Sequence, residues 1–193
     1  MNLSWRPRRT EAFTFMELLI VIAVVAILLA ALLPALARGR TRSSRINCIN
    51  NLKQISLSFQ QWALDNGDKF PMQVSVTNGG AMDGIASGNV CANFQVMSNE
   101  LNSPKILICP DDNESGRSAA TVFGNNAAAV SAGQIPFSTN NVAYFVGADA
   151  EKSMTWMLLS GDDNLTHANL RIRSGLVGLW TNSPVGWTAR RHK

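Results

Sequence analysis

An uninterrupted apolar segment from Leu18 to Leu33 constrains this chain more than any other feature. The wider stretch from Phe13 to Ala37 would form a helix of about 37 Å at 1.5 Å per residue. The hydrocarbon core of a bilayer is about 30 Å thick, so this length is enough to cross it. The run has no polar face, which disfavours a helix buried in a soluble domain. A cleaved secretory signal ending at Ala35-Leu36-Ala37 and a retained membrane helix both fit the pattern.

Glu17 stands at the entrance of this apolar segment and distinguishes the two interpretations. A carboxylate near the start of a membrane helix is costly and is rarely present without a use. A signal peptide gains nothing from it. The residues from Ala12 to Leu19, AFTFMELL, resemble the N-terminus of type IV prepilins and pseudopilins, which is usually written GFTLIELL. The chain departs from that pattern at Ala12, where the family prefers Gly.

The resemblance implies a processing site and an assembly residue. A prepilin peptidase would cleave between Ala12 and Phe13 on the cytoplasmic face and would methylate the new N-terminal amine of Phe13. Glu17 would then pair with the N-terminal amine of a neighbouring subunit. The implied partners are this peptidase, other pilin-like subunits in a filament of one or several kinds, and the lipid of the inner membrane.

Charge is concentrated at the two ends of the apolar segment. The 193-residue chain has a formal net charge of +4, and the flanking arginines are Arg6, Arg8, Arg9, Arg38, Arg40, Arg42 and Arg45. Arginines before the segment place the N-terminus in the cytoplasm by the positive-inside rule, so the bulk of the chain should be extracytoplasmic. The later arginines lie at the membrane boundary, where anionic lipid explains them, and no nucleic-acid partner is expected.

The helix should continue beyond the membrane segment. Apolar residues recur there at spacings of four, three, four and three, which indicates one face of an amphipathic helix: Cys48, Leu52, Ile55, Phe59 and Trp62. Gly67 would cap its C-terminus. We therefore predict a leader over residues 1–12, a transmembrane and filament-core helix over 13–36, an amphipathic continuation over 37–66 and a globular head over 67–193.

The head should combine short strands with a short helix. The pattern predicts a helix over 91–101 and strands at 73–76, 106–109, 142–147, 155–160 and 176–181. Strands after one long helix indicate an α+β fold, with the helical spine packed on a small antiparallel sheet. Three tryptophans are expected in the core of the head: Trp156, Trp180 and Trp187.

Four segments of the spine and the head resemble pilin-like proteins that are numerous in Verrucomicrobia-type bacteria. These segments are Cys48–Ile55, Ser103–Asp111, Tyr144–Gly147 and Leu159–Asp162. In that group a His, an Asp-Gly pair and a final strand follow. This chain ends at Lys193, so the resemblance implies a head that lacks its last strand.

Three cysteines permit one disulfide and leave one thiol in an oxidising compartment. Cys48–Cys109 and Cys91–Cys109 are both compatible with the sequence, as are three buried thiols. Their spacing matches no zinc pattern.

Neither a catalytic set nor a strong cofactor site is evident. His167 and His192 lie in polar stretches, and no G-x-S-x-G motif is present, so we predict that the chain is not an enzyme. Acidic residues in two loops are weak calcium candidates, although Asp also favours turns; they are Asp111, Asp112, Asp162 and Asp163. No other cofactor is expected.

These observations predict a structural subunit of a type IV pilus or a type II secretion pseudopilus. Two alternatives remain open. One is a membrane-anchored extracytoplasmic binding protein that never polymerises. The other is a soluble secreted domain released by cleavage after Ala37.

Overall fold

The computed structural model describes residues 13–112, 116–124, 130–154, 157–167, 170–172, 177–179 and 183–188. The chain divides into two compact units between Arg40 and Thr41. Helix α1 runs from Phe15 to Asp65, close to the predicted bounds. Gly67 has a φ of +65° and lets the Asp68 N–H reach the Ala63 carbonyl oxygen at 2.8 Å, which closes the helix with the predicted glycine cap.

The predicted apolar stripe of α1 forms the centre of the head. Ile55 and Phe59 are fully buried, and Trp62 is 5% exposed. The Phe59 ring makes edge contacts with Phe70 and Phe94, at centroid distances of 5.9 and 6.2 Å. Phe94 lies in one of the short helices that follow α1, and Phe70 directly precedes another. Ala143 and Tyr144, from the strand-bearing part of the head, belong to the same core, so helical turns and strands both share this core with the stripe.

Short helices make up the first part of the head. The α-helices are α2 (Met82–Ile85), α3 (Val90–Val96) and α4 (Ser98–Leu101), and 3₁₀-helices occur at Pro71–Gln73, Val76–Asn78, Pro104–Leu107 and Thr139–Asn141. The predicted helix over 91–101 is confirmed as the successive helices α3 and α4.

Two predicted strands in this part are wrong because proline and local hydrogen bonds favour 3₁₀ turns. Around 73–76, Pro71 begins the turn and the Gln73 side chain accepts a hydrogen bond of 2.8 Å from the Phe70 N–H. Around 106–109, Pro104 begins a turn that Ser103 caps by accepting from the Lys105 N–H at 3.4 Å. Both prolines stand where a helix tolerates the missing donor.

The second part of the head carries two small antiparallel sheets, which gives the predicted α+β fold. Strands β1 (Tyr144–Val146) and β2 (Ser160–Asp162) pair with Phe145 opposite Gly161. Strand β3 (Leu165–His167) lies between β4 (Leu170–Arg171) and β5 (Val185–Trp187), with Leu165 opposite Trp187.

One of the three strands predicted for this part is confirmed, and the other two differ from the prediction. The strand over 142–147 is confirmed as β1. Of the strand predicted over 155–160, residues 155 and 156 lie outside the described residues, and 157–159 form no strand before β2 begins at Ser160. The Gly147 N–H donates to the Leu159 carbonyl oxygen at 2.8 Å, one position beyond the paired residues of β1 and β2. Residues 177–179 form no strand, and the rest of the 176–181 prediction lies outside the described residues.

Trp187 does not pack in the core: it is 60% exposed on β5. Trp156 and Trp180 lie outside the described residues, as does the end of the chain on which the missing-strand prediction depends.

Candidate processing and assembly segment

Helix α1 begins with a side-chain cap. The Thr14 Oγ1 accepts a hydrogen bond of 3.3 Å from the Glu17 N–H, and the Thr14 carbonyl oxygen accepts from the Leu18 N–H at 3.2 Å. Thr14 is therefore the N-cap residue and Glu17 occupies the third helical position, the spacing of a capping box. The Thr-x-x-Glu spacing of Thr14 and Glu17 is the sequence signal for this cap.

The carboxylate of Glu17 lies at the positive end of the helix. It is exposed, and it is the acidic residue of the first turn of α1. Negative charge is favourable at a helix N-terminus because unpaired N–H groups point there. Glu17 forms no ion pair with any residue that the structure describes. The side chain is thus available to a cation from outside the described chain.

An apolar surface surrounds the helix behind Glu17. From Phe15 to Leu33 the helix has a mean hydropathy of 3.0, and none of its residues is buried within the protein. The large side chains are 44–80% exposed, from Leu19 to Phe15. This helix is long and apolar enough to cross a membrane. A surface of this size needs a cover other than water.

The processing site itself is only half described. Phe13 is the first described residue and is 74% exposed, whereas Ala12 lies outside the described residues. Cleavage between them and methylation of Phe13 stay predictions.

Two of the four acidic calcium candidates, Asp112 and Asp163, come together around an arginine. Arg117 Nη1 lies 3.1 Å from Asp112 Oδ2 and 2.5 Å from Asp163 Oδ2. The Asp112 side chain is fully buried, and those of Arg117 and Asp163 are 16% and 19% exposed. A guanidinium thus supplies the positive charge that a calcium ion would have brought. Arg117 was missed in the sequence because nothing local marks it as a partner of Asp163, which lies far along the chain.

The described part of the chain contains no cluster of side chains suited to bind a metal ion. Within the described ranges, no group of three or more His, Cys, Asp or Glu side chains could hold a metal ion. His167 lies on β3, and His192 lies outside the described residues.

The cysteines follow one of the two pairings that the sequence allowed. Cys48 of α1 is bonded to Cys109, with a Cα–Cα distance of 5.0 Å. Cys91 is a half-buried thiol without a disulfide partner. Burial raises the pKa of Cys91 to about 11, because the thiolate is poorly solvated there. Such a thiol is unreactive near neutral pH.

Comparison with known proteins bears on the N-terminal segment. Residues 7–33 match the family described as the prokaryotic N-terminal methylation motif. The N-terminus is that of a type IV pilin-like protein. The matched range contains Phe13 and Glu17 and ends with the apolar run, so it covers none of the head. No curated protein and no solved structure matches the chain significantly.

Proposed function

We propose that this pilin-like protein is a structural subunit that is cleaved before Phe13, methylated there and assembled through its apolar helix. The filament would be a type IV pilus or a type II secretion pseudopilus. The observation that carries the proposal is the exposed apolar surface from Phe15 to Leu33, in register with Glu17 and inside the methylation motif. The motif belongs to a structural class of proteins, and no enzymatic role is proposed.

Before assembly, the same helix would hold the protein in the inner membrane. The N-terminus would be cytoplasmic and the head periplasmic, in agreement with the arginines before the apolar segment. Packing among the helices of neighbouring subunits would then replace lipid as the cover of the segment. Prepilin peptidase and other pilin-like subunits are the partners.

Glu17 would set the register between subunits. Cleavage before Phe13 creates a charged amine four residues from Glu17 in sequence. Inside a bundle of apolar helices, an unpaired carboxylate is costly, and a neighbour's amine at the same depth removes that cost. Only a stagger that brings the two groups together is then favoured.

The mature N-terminus is the first test. Mass spectrometry of the protein from its host should find N-methylated Phe13. A start at Arg38 would instead identify a cleaved secretory signal and contradict the proposal. An intact Met1 would contradict processing.

Replacement of Glu17 is the second test. Glu17→Ala should still be inserted and cleaved, but should be depleted from filaments in the sheared surface or periplasmic fraction. The matched control is Glu151→Ala, an exposed carboxylate of the head. A processed wild-type protein found only as a membrane monomer by crosslinking would instead support a non-polymerising anchor.

A further inference from the structure

A groove of about 690 Å³ lies in the head, along one flank of α1. Its walls are residues 54–65 of α1 and residues 99–106, which include the end of α4. Ser58, only 5% exposed, ties the two walls together at the floor. Its hydroxyl lies 3.0 Å from the Gln54 carbonyl oxygen and 3.2 Å from that of Glu100.

The groove offers acceptors and negative charge. Asp65 and Glu100 line it with carboxylates, and none of the described residues that line it is basic. The amide side chains around it are Gln54, Gln61, Asn99 and Asn102. Lys53 and Lys105 precede lining residues in sequence, but neither lines the groove. This chemistry fits a guanidinium, which brings positive charge and several donors in one plane.

One carboxylate oxygen of Glu100 has no hydrogen-bond donor among the described residues. This oxygen, Oε2, is also shielded from solvent. A shielded carboxylate oxygen without a donor costs free energy. A cation bound in the groove would lie close to this carboxylate. Together with Asp65, Glu100 therefore makes this groove favourable for a cation.

The chain carries matching cations that cannot reach its own groove. Arg42 and Arg45 are exposed and stand three residues apart on α1, so they project from one flank. Arg45 precedes Gln61 by a helical distance of about 24 Å, well beyond the length of an arginine side chain. At 3.6 residues per turn, the groove lies roughly half a turn around the helix from these arginines.

An exposed apolar stripe separates the two flanks. Ile46, Ile49, Leu57 and Leu64 are 46–66% exposed and share the face of α1 opposite the buried stripe. Leu57 also lines the groove. A partner that reached the groove from outside would cover this stripe as well.

We propose that Arg42 and Arg45 of one copy of this chain bind in the groove of the next copy, against Asp65 and Glu100. This contact rests on the proposed filament function and adds a second polar contact to that of Glu17. Because the donor and the acceptor surfaces are different, the contact is heterologous and propagates in one direction. The two copies are offset along the helix by about 20–35 Å.

Charge exchange tests the contact in cells that assemble the wild-type protein. Arg42→Glu/Arg45→Glu and Gln61→Lys/Asp65→Lys should each lower incorporation into filaments about tenfold, because like charges then meet. All four changes together should restore incorporation. The matched controls are Lys69→Glu and Glu151→Lys, which change exposed charges elsewhere in the head. Formation of the Cys48–Cys109 disulfide in every variant checks folding.

The outcomes separate this contact from the proposed function. If wild-type protein with methylated Phe13 enters no filament, the proposed function fails. If it assembles and both charge-reversed variants assemble equally well, the groove contact is wrong and the subunit function stands. Loss in the single sets without rescue in the combined variant also overturns the contact.

Crosslinking tests its direction. In a Cys91→Ser background, Arg45→Cys combined with Gln61→Cys should give a ladder of multimers with a short bis-maleimide, and neither cysteine alone should crosslink. A product that stops at the dimer would overturn the heterologous contact. A crosslinked dimer from Gln61→Cys alone would do the same.

Discussion

The Nδ2 of Asn51 donates a hydrogen bond of 3.0 Å to the carbonyl oxygen of Ile108. The bond lies beside the Cys48–Cys109 disulfide: Asn51 is about one helical turn after Cys48 on α1, and Ile108 directly precedes Cys109. A covalent and a polar contact therefore hold the same short segment of the head against the helix. The Leu107 carbonyl oxygen then accepts from the Ala143 N–H at 2.8 Å, which links this segment to the start of β1.

Removal of the disulfide should destabilise the head strongly. The crosslink joins residues 61 apart in sequence, and closing a loop of that length contributes about 4 kcal/mol in the chain-entropy account. Cys48→Ala/Cys109→Ala should lose about that much in guanidinium unfolding of the detergent-solubilised chain. Cys91→Ala is the control and should change stability far less. Equal stability of the two variants would contradict the structural role of the bond.

The side chain of Asn51 should contribute to the stability of the head, whereas that of Asn50 should not. Asn51→Ala leaves the Ile108 carbonyl oxygen without this donor and should cost about 1 kcal/mol of unfolding free energy. Asn50→Ala removes an identical side chain from an exposed position on the same helix, and should be nearly neutral. The measurement is the pair of denaturation midpoints at unchanged slope. A larger effect at Asn50 would refute the assignment.

Arg117 should be needed to keep Asp112 buried. Arg117→Met keeps much of the side-chain volume but removes the charge that faces Asp112 and Asp163. We expect a loss of about 3 kcal/mol, because breaking a buried pair leaves a carboxylate poorly compensated. Lys105→Met, at an exposed position, is the control. If calcium restored the stability of Arg117→Met, the loops could accept a metal in place of the guanidinium.

The thiol of Cys91 should lose its proton at a higher pH in the folded protein than in the denatured chain. Its pKa is raised from the ordinary value of 9.0 to about 11 by burial, so alkylation by iodoacetamide should accelerate with a midpoint near pH 11. The denatured chain should show a midpoint near pH 9. Between these values the unfolded state releases a proton that the folded state keeps, so stability should fall as the pH rises.

That fall should be smaller in Cys91→Ser, which has no thiol to titrate there. An alkylation midpoint near pH 9 in the folded protein would show that Cys91 is well solvated.

Features that repeat along the sequence, such as a continuous apolar run or apolar residues at helical spacing, could be interpreted without the structure. The apolar run from Leu18 to Leu33 and the stripe from Cys48 to Trp62 predicted α1 and its buried face. Gly67 predicted the end of the helix, since left-handed backbone there favours glycine. The short apolar runs at 106–109 and 155–160 were misread or misplaced, because four to six residues do not distinguish a strand from a turn.

The sequence by itself determined a pilin-like N-terminus, one long helix and an α+β head, because these follow from local periodicity and from a motif read in register. Only the tertiary structure decided that Cys48 pairs with Cys109, that Arg117 joins two acidic loops and that Glu100 borders a groove beside α1. Each of these relationships depends on residues far apart in the chain: Cys48 and Cys109, Arg117 and Asp163, and α1 and Glu100. Their distances depend on how the whole head packs, which no local pattern encodes.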